Sequence, residues 1–383
     1  MVTHRGFRFR LISLATLAAI ALHIWLLQMH SLPGEWLSIS FALLCLTASW
    51  SLDLAFKRTE VPAVAAQVTR AEPRASAPST AAPVQRSRVV NAFTIDLEDY
   101  FQTEVASRSL PYSEWDRMPS RIEHSVQRML DLLDESDARA TVFVLGWIAE
   151  RYPRLVREVA RRGHEIGCHS YRHRRVYTLS PEVFAEDTRL AKRVLEDVIG
   201  SAVEGYRAPS FSITPGTEWA FHILEDLGFL YDSSVNPVWH SSYANQHAPR
   251  FPYYPAGTRL LEIPIGTWRI GNVNLPVGGG AYLRLLPYGY IRRGLSVINT
   301  RERQPATLYV HPWEIDYHQP AIHKKWSSQV RQMWGTRTME AKLRKLLASS
   351  RFEPISIAYS QALTADWPLM LPQREVAPLA QVC

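Results

Sequence analysis

Two histidines four residues apart offer the first chemistry in this chain: His169 and His173, in the run Gly163-His164-Glu165-Ile166-Gly167-Cys168-His169-Ser170-Tyr171-Arg172-His173. A neutral imidazole is a good ligand for a divalent metal, and i, i+4 spacing puts two of them on one helical face. Spacing alone says little in a chain with 13 His. The run Asp96-Leu97-Glu98-Asp99, at the end of an apolar stretch, adds carboxylates. Two imidazoles and one carboxylate leave metal positions open for water and substrate, as hydrolysis requires. The combination points to a metal-dependent hydrolase.

The elements that must position these residues begin at Val89. Val89 to Ile95 reads as a buried strand that ends at the acidic cluster. Ile122 to Leu133 has helical spacing, Ala140 to Gly146 is a strand and Ile148 to Arg162 a helix. Glu165 to Cys168 forms a short strand running into the histidine pair, with His164 in the exposed turn before it and Cys168 facing the core. Pro181 to Val198 is a further helix, followed by Val203 to Arg207. This alternation predicts parallel strands with covering helices. In such folds chemistry gathers at the carboxyl ends of strands, where Asp96, His169, Arg207 and His311 are all expected to lie.

With 46% apolar residues, 12 Trp and 16 Tyr, the 383-residue chain can build a large core and still line a cleft with aromatic rings. The formal charge of +7 is concentrated toward the front, and no nucleic-acid motif accompanies it, so no nucleic-acid partner is expected. The three cysteines, Cys45, Cys168 and Cys383, make no disulfide framework and no Cys-x-x-Cys zinc site. Residues 11–29 and the run from Trp36 to Phe56 are apolar, with Pro33-Gly34 as a turn signal between them. Arg5, Arg8 and Arg10 precede the first run and Lys57-Arg58 follows the second. The expectation is a two-helix membrane anchor over residues 1–56. A cytoplasmic catalytic domain at a bacterial inner membrane then satisfies the positive-inside rule. Residues 57–88 are an Ala/Pro-rich flexible linker, residues 89–360 the catalytic domain and 361–383 a tail.

Five motifs carry a family resemblance: Thr94-Ile95-Asp96-Leu97-Glu98-Asp99, His169-Ser170-Tyr171-Arg172-His173, Arg207-Ala208-Pro209-Ser210, Tyr231-Asp232-Ser233-Ser234 and Leu308-Tyr309-Val310-His311-Pro312. In order and spacing they resemble NodB-type polysaccharide deacetylases over about residues 89–360. Asp99-Tyr100-Phe101-Gln102, Glu262 to Gly266, Gly278 to Pro287 and His311 to Asp316 are similar to the branch associated with exosortase and exopolysaccharide loci. The resemblance implies a distorted (β/α) barrel that removes N-acetyl groups from N-acetylhexosamine units of a polysaccharide or oligosaccharide, using a divalent metal. Zinc is the first expectation, with cobalt, nickel or iron as alternatives.

On that resemblance Asp96 is the general base, Arg207 the arginine that orients it bidentately, and His311 the acid that protonates the leaving amine. His169 and His173 are metal ligands. Position 97 is Leu where the commonest family pattern has a second aspartate, so the third ligand is Glu98 or Asp99; strand alternation favours Glu98. Asp232 is a weaker candidate for tuning His311. A backbone N–H near Ser210-Phe211 is available for the oxyanion. Tyr171, Phe211, Trp313 and Tyr282 are candidate walls for a sugar ring. Gly278-Gly279-Gly280 lacks the Lys-Ser/Thr of a nucleotide loop and reads as a flexible or tightly turned loop at the cleft. Two rival readings keep the scaffold: a cyclic-amide hydrolase, and a membrane-tethered glycan-binding protein without activity. The choice of polysaccharide and the oligomeric state stay open.

Overall fold

The computed structural model describes residues 89–104, 106–108, 110–238, 245–322 and 326–364. The expected anchor over residues 1–56 and the linker 57–88 lie outside the described residues, as does most of the tail. Among the described residues no helix is long and apolar enough to cross a membrane.

Eight parallel strands form one sheet, in the order β10-β1-β2-β3-β4-β5-β6 with β9 also paired to β1. They are β1 (Val90–Leu97), β2 (Thr141–Val144), β3 (Glu165–Cys168), β4 (Gly205–Tyr206), β5 (Tyr231–Asp232), β6 (Leu261–Glu262), β9 (Thr307–Val310) and β10 (Arg351–Glu353). β7 (Thr267–Ile270) and β8 (Val273–Pro276) make a separate antiparallel hairpin. β1 is long enough to serve three neighbours: its start pairs with β10, its middle with β9 and its end with β2. Seven of its eight residues are buried, the pattern of a strand covered on both faces.

The expected barrel is distorted at one seam. Between β6 and β9 closure comes from single contacts: Gly266 N–H donates to Thr307 O, Tyr309 N–H to Gly278 O and Gly280 N–H to Tyr309 O. The Gly278–Gly280 run makes that approach possible. A Cβ on Gly279, at φ +133°, would sit 1.8 Å from the Tyr309 carbonyl oxygen. Of the two expectations for this run the tight turn holds, and its backbone is packed on β9 rather than free.

Covering helices follow the apolar spacing. α1 (Ile122–Glu135) buries Ile122, Val126, Met129, Leu130 and Leu133. The helix expected over Ile148–Arg162 is instead two, α2 (Gly146–Arg151) and α3 (Pro153–Arg161). Pro153 forces Tyr152 out of helical geometry (φ −123°, ψ 51°) and then serves as the first residue of α3. α4 (Pro181–Ile199) starts on Ser180, whose hydroxyl accepts from Val183 N–H, and ends on Gly200 at φ +72°. After α5 (Trp219–Asp226) the chain adds α6 (Ala281–Leu285), α7 (Tyr288–Val297), α8 (Trp326–Met333), α9 (Thr336–Ser349), α10 (Ile355–Ala358) and α11 (Ser360–Leu363). The last crosses the expected boundary at residue 360, because Tyr359 and Ala362 are buried in a cluster with Phe143 and Tyr231.

His164 departs from expectation. It is buried, and its Nδ1 accepts from Ala140 N–H at 3.2 Å, closing the entry to β3. Burial, with Arg139 nearby, pushes its pKa down to about 4. Cys168 is fully buried as expected, which raises its thiol to about 12.

Candidate metal-dependent active site

Asp96, His169, Arg207 and His311 stand at or just beyond the carboxyl ends of β1, β3, β4 and β9, strands of one parallel sheet. Strand alternation puts Thr94, Asp96 and Glu98 on the same face of β1. Glu98, His169 and His173 offer ligand atoms that all lie within 4.8 Å of one another, and all three are buried. Glu98 Oε1 is 3.3 Å from His169 Nε2 and 2.9 Å from His173 Nε2. His169 Nδ1 is 2.8 Å from the Arg207 carbonyl, which can only accept. That bond places the imidazole proton on Nδ1 and leaves the Nε2 lone pair facing Glu98. His173 Nε2 is buried and does not meet the Glu98 oxygen, or any other group, in hydrogen-bond geometry. Lone pairs converging on a carboxylate in a buried site suit a cation, so the donor set fits a divalent metal.

The histidine pair is not helical. Residues 169–175 form an irregular turn, with Ser170 at φ +65° and His173 at φ +53°. The turn is pinned by His173 N–H on Ser170 Oγ and by Tyr171 N–H on Asp187 Oδ2. The imidazoles meet because the chain folds back on itself.

Of the two candidates for third ligand, the structure presents Glu98. Asp99 is turned away: its Oδ1 accepts from Tyr100 N–H, and its Oδ2 from the Ser120 hydroxyl and Arg121 N–H. These bonds tie the end of β1 to the start of α1. Burial raises the Asp99 pKa against those same bonds. For Glu98 burial also opposes the charge, but the neighbouring imidazoles of His173, His311 and His169 outweigh it and hold the carboxyl well below its usual range.

Arg207 is fully buried and holds Asp96 through one bond rather than two. Its Nη1 donates to Asp96 Oδ1 at 2.8 Å and to Thr94 Oγ1 at 2.6 Å. Its Nε and Nη2 go to the Ser233 carbonyl and hydroxyl at 3.0 and 2.8 Å. The single contact leaves Asp96 Oδ2 facing His311 Nε2 at 3.9 Å. Phe143 lies under the guanidinium at 4.3 Å, and Phe211 and Tyr309 enclose it at 5.5 and 5.9 Å. A buried cation walled by ring faces and held by four hydrogen bonds is a rigid support for a carboxylate.

His311 Nε2 is 3.8 Å from Glu98 Oε1, so the ring borders both the base and the ligand cluster. Burial opposes its charge, but Glu98, Glu314 and Asp96 outweigh it and lift the pKa to about 9. The carboxylate at His311 Nδ1 is Glu314 (Oε2 at 3.3 Å) and not Asp232. Asp232 accepts from the Ser234 hydroxyl at 2.5 Å and pairs with buried Glu262, and burial lifts its pKa to about 6. That pair braces β5 against β6. Thr94, Ser233 and Glu314 were not singled out from the sequence. Only Glu314 left a signal there, an acid three residues after His311 on a turn that Pro312 opens.

The aromatic candidates divide. Trp313 stacks on His311 (5.3 Å, 24°), with its Nε1 buried and without a partner. Phe211 packs on Tyr309 and over Arg207. Tyr282 is half-buried on α6. Tyr171 is committed elsewhere: its hydroxyl donates to Glu150 at 2.6 Å and its ring fills the space over Gly146. Ser210 and Phe211 both have positive φ (55° and 51°), and Phe211 N–H is spent on Ala208 O. Phe211 therefore cannot supply the oxyanion N–H considered from the sequence.

Residues 107–229 match the family model described as polysaccharide deacetylase, and residues 233–360 one described as a domain of unknown function (DUF3473). The first segment contains His169, His173 and Arg207, and the second His311 and Glu314; Asp96 and Glu98 precede both. The chain is similar to a peptidoglycan-N-acetylglucosamine deacetylase of Bacillus cereus, 30% identical over 128 residues, covering 30% of this chain and 46% of the relative. It is also similar to a chitooligosaccharide deacetylase of Azorhizobium caulinodans, 32% identical over 122 residues (31% and 54%). A chitin deacetylase of Colletotrichum lindemuthianum is 31% identical over 108 residues (26% and 44%). The chain thus spans about half the length of the curated relatives it matches. On the family-model match and these relatives, the segment that carries His169, His173 and Arg207 is similar to the polysaccharide deacetylases.

Proposed function

We propose that this chain is a metal-dependent deacetylase acting on N-acetylhexosamine units of a polysaccharide or oligosaccharide. The observation that carries the reading is the buried convergence of Glu98, His169 and His173 beside Asp96 and His311. A divalent cation held by those three ligands would polarise a water and the acetamide carbonyl. Zinc suits the donor set. Asp96, fixed by Arg207, takes the proton of the attacking water at Oδ2. Asp96 is itself buried, which keeps bulk water from the base. His311 Nε2 then delivers a proton to the departing amine, and acetate and a free amino sugar leave. Trp313, stacked on His311, and Tyr282 are the aromatic residues we assign to the wall of the sugar site.

The exopolysaccharide setting and the tether over residues 11–56, with the catalytic domain on the cytoplasmic side of a bacterial inner membrane, rest on the sequence alone. Free acetate is to be measured after incubation with N-acetylglucosamine oligomers, with and without chelator and added zinc. Release that chelator abolishes and zinc restores supports the reading. Release that chelator leaves unchanged sinks the metal role, and ring opening of a cyclic ureide in place of acetate release would favour the cyclic-amide alternative.

A further inference from the structure

We propose that Glu314, held by Arg284, is a positioning residue that aims His311, so that segment 233–360 supplies both the acid and the clamp that aims it. The inference rests on the reading of His311 as the acid. Glu314 is fully buried on the turn Pro312–Ile315 that follows β9. Its Oε2 accepts His311 N–H at 3.0 Å and lies 3.3 Å from His311 Nδ1. Its Oε1 accepts from Arg284 Nε at 2.7 Å. Arg284, also buried, is anchored in turn by donating to the carbonyls of Gln332 and Trp334 on and after α8, each at 2.8 Å. The guanidinium lies over Trp313 at 5.1 Å, and Trp313 stacks on the His311 ring. The imidazole is thus held at its backbone N–H, along its Nδ1 edge and across one face, and Nε2 is left toward Asp96 and Glu98.

The physical need is specific. A neutral imidazole divides its proton between two nitrogens unless one is held, and only the Nε2 proton faces the leaving group. A carboxylate at Nδ1 keeps a proton there throughout, so the travelling proton is the one on Nε2. Nδ1 makes no hydrogen bond among the described residues, and the Glu314 carboxylate, at 3.3 Å, is the charged group set beside it. The Gly278–Gly280 run acquires a role as well. By packing its backbone on β9 beside Tyr309, it sets the start of α6 and hence the position of Arg284.

The test uses the full-length protein with Glu314→Gln, beside the parent and His311→Ala. Steady-state acetate release gives kcat and KM, and metal content is measured per chain. Nitrogen-15 spectra of histidine-labelled protein, recorded where the ring is neutral, give the imidazole proton position; the His311 signals are identified by their loss in His311→Ala. Expected for Glu314→Gln are a kcat lower by about 10–100-fold, as for other outer-shell partners, unchanged KM and metal content, and a His311 proton spread over both nitrogens. Because the lone Arg284 charge could unfold that variant, Glu314→Gln with Arg284→Met removes both charges and is read in the same way. Parental kcat with an unchanged His311 spectrum would overturn the clamp. Full turnover in His311→Ala would instead overturn the acid role, and the clamp would then be judged by the spectrum alone.

Discussion

Arg207→Lys tests whether the guanidinium is the support on which Asp96 depends. The side chain makes four hydrogen bonds, to Asp96, Thr94 and both the carbonyl and hydroxyl of Ser233, and is entirely shielded from solvent. A lysine ammonium is a single point and cannot serve β1 and Ser233 together. If it stays with Asp96, two bonds from a charged donor to Ser233 are lost, each worth about 1.5–3 kcal/mol, for a destabilisation of about 3–6 kcal/mol. With a urea slope of about 3 kcal/mol per molar, the unfolding midpoint falls by about 1–2 M. Asp96 also loses its fixed placement, and a misplacement of about 1 Å can cost on the order of 100-fold in rate. Urea unfolding followed by tryptophan fluorescence and acetate release on the same preparation measure both effects. A midpoint shift under about 0.3 M together with parental turnover would show that the arginine is dispensable and the reasoning mistaken.

Glu98→Gln should bind metal far more weakly than the parent, whereas Asp99→Ala should keep the parental metal content and instead lose about 1–3 kcal/mol of stability through its unmet donors; metal analysis after dialysis and urea unfolding separate the two. Gly279→Ala should not reach the native state, since its Cβ would collide with the Tyr309 carbonyl, and loss of near-ultraviolet dichroism reports it. His164 predicts an acid-sensitive step in stability. Its folded pKa, near 4, is below the unfolded value of about 6.5, so the unfolded chain binds more protons between them. The stability it contributes is therefore complete above about pH 6.5 and is lost as pH falls toward 4, by up to roughly 3 kcal/mol. His164→Gln should flatten that part of the profile, and an unchanged slope in urea titrations from pH 7 to 4 would count against it.

The sequence by itself determined the strand–helix alternation and the placing of Asp96, His169, Arg207 and His311 at strand ends, because burial on both faces of a parallel sheet leaves contiguous apolar runs that stop where the chemistry starts. It also carried the preference for Glu98 over Asp99, since alternation along β1 is a local rule that tertiary contacts did not override. The turn at residues 169–173 was not legible, because four-residue spacing is equally compatible with a helix and with a loop that positive φ folds back. Nor was the split at Tyr152-Pro153 read, although Pro153 announced it. What only the tertiary structure decided are pairings between distant segments. Arg207 divides its donors between β1 and Ser233, Asp232 pairs with Glu262, Arg284 reaches Glu314, and His164 is closed over by Ala140. Each depends on which strands become neighbours in the sheet and where the β6–β9 seam closes, and those positions are set by long-range packing that leaves no periodicity in the chain.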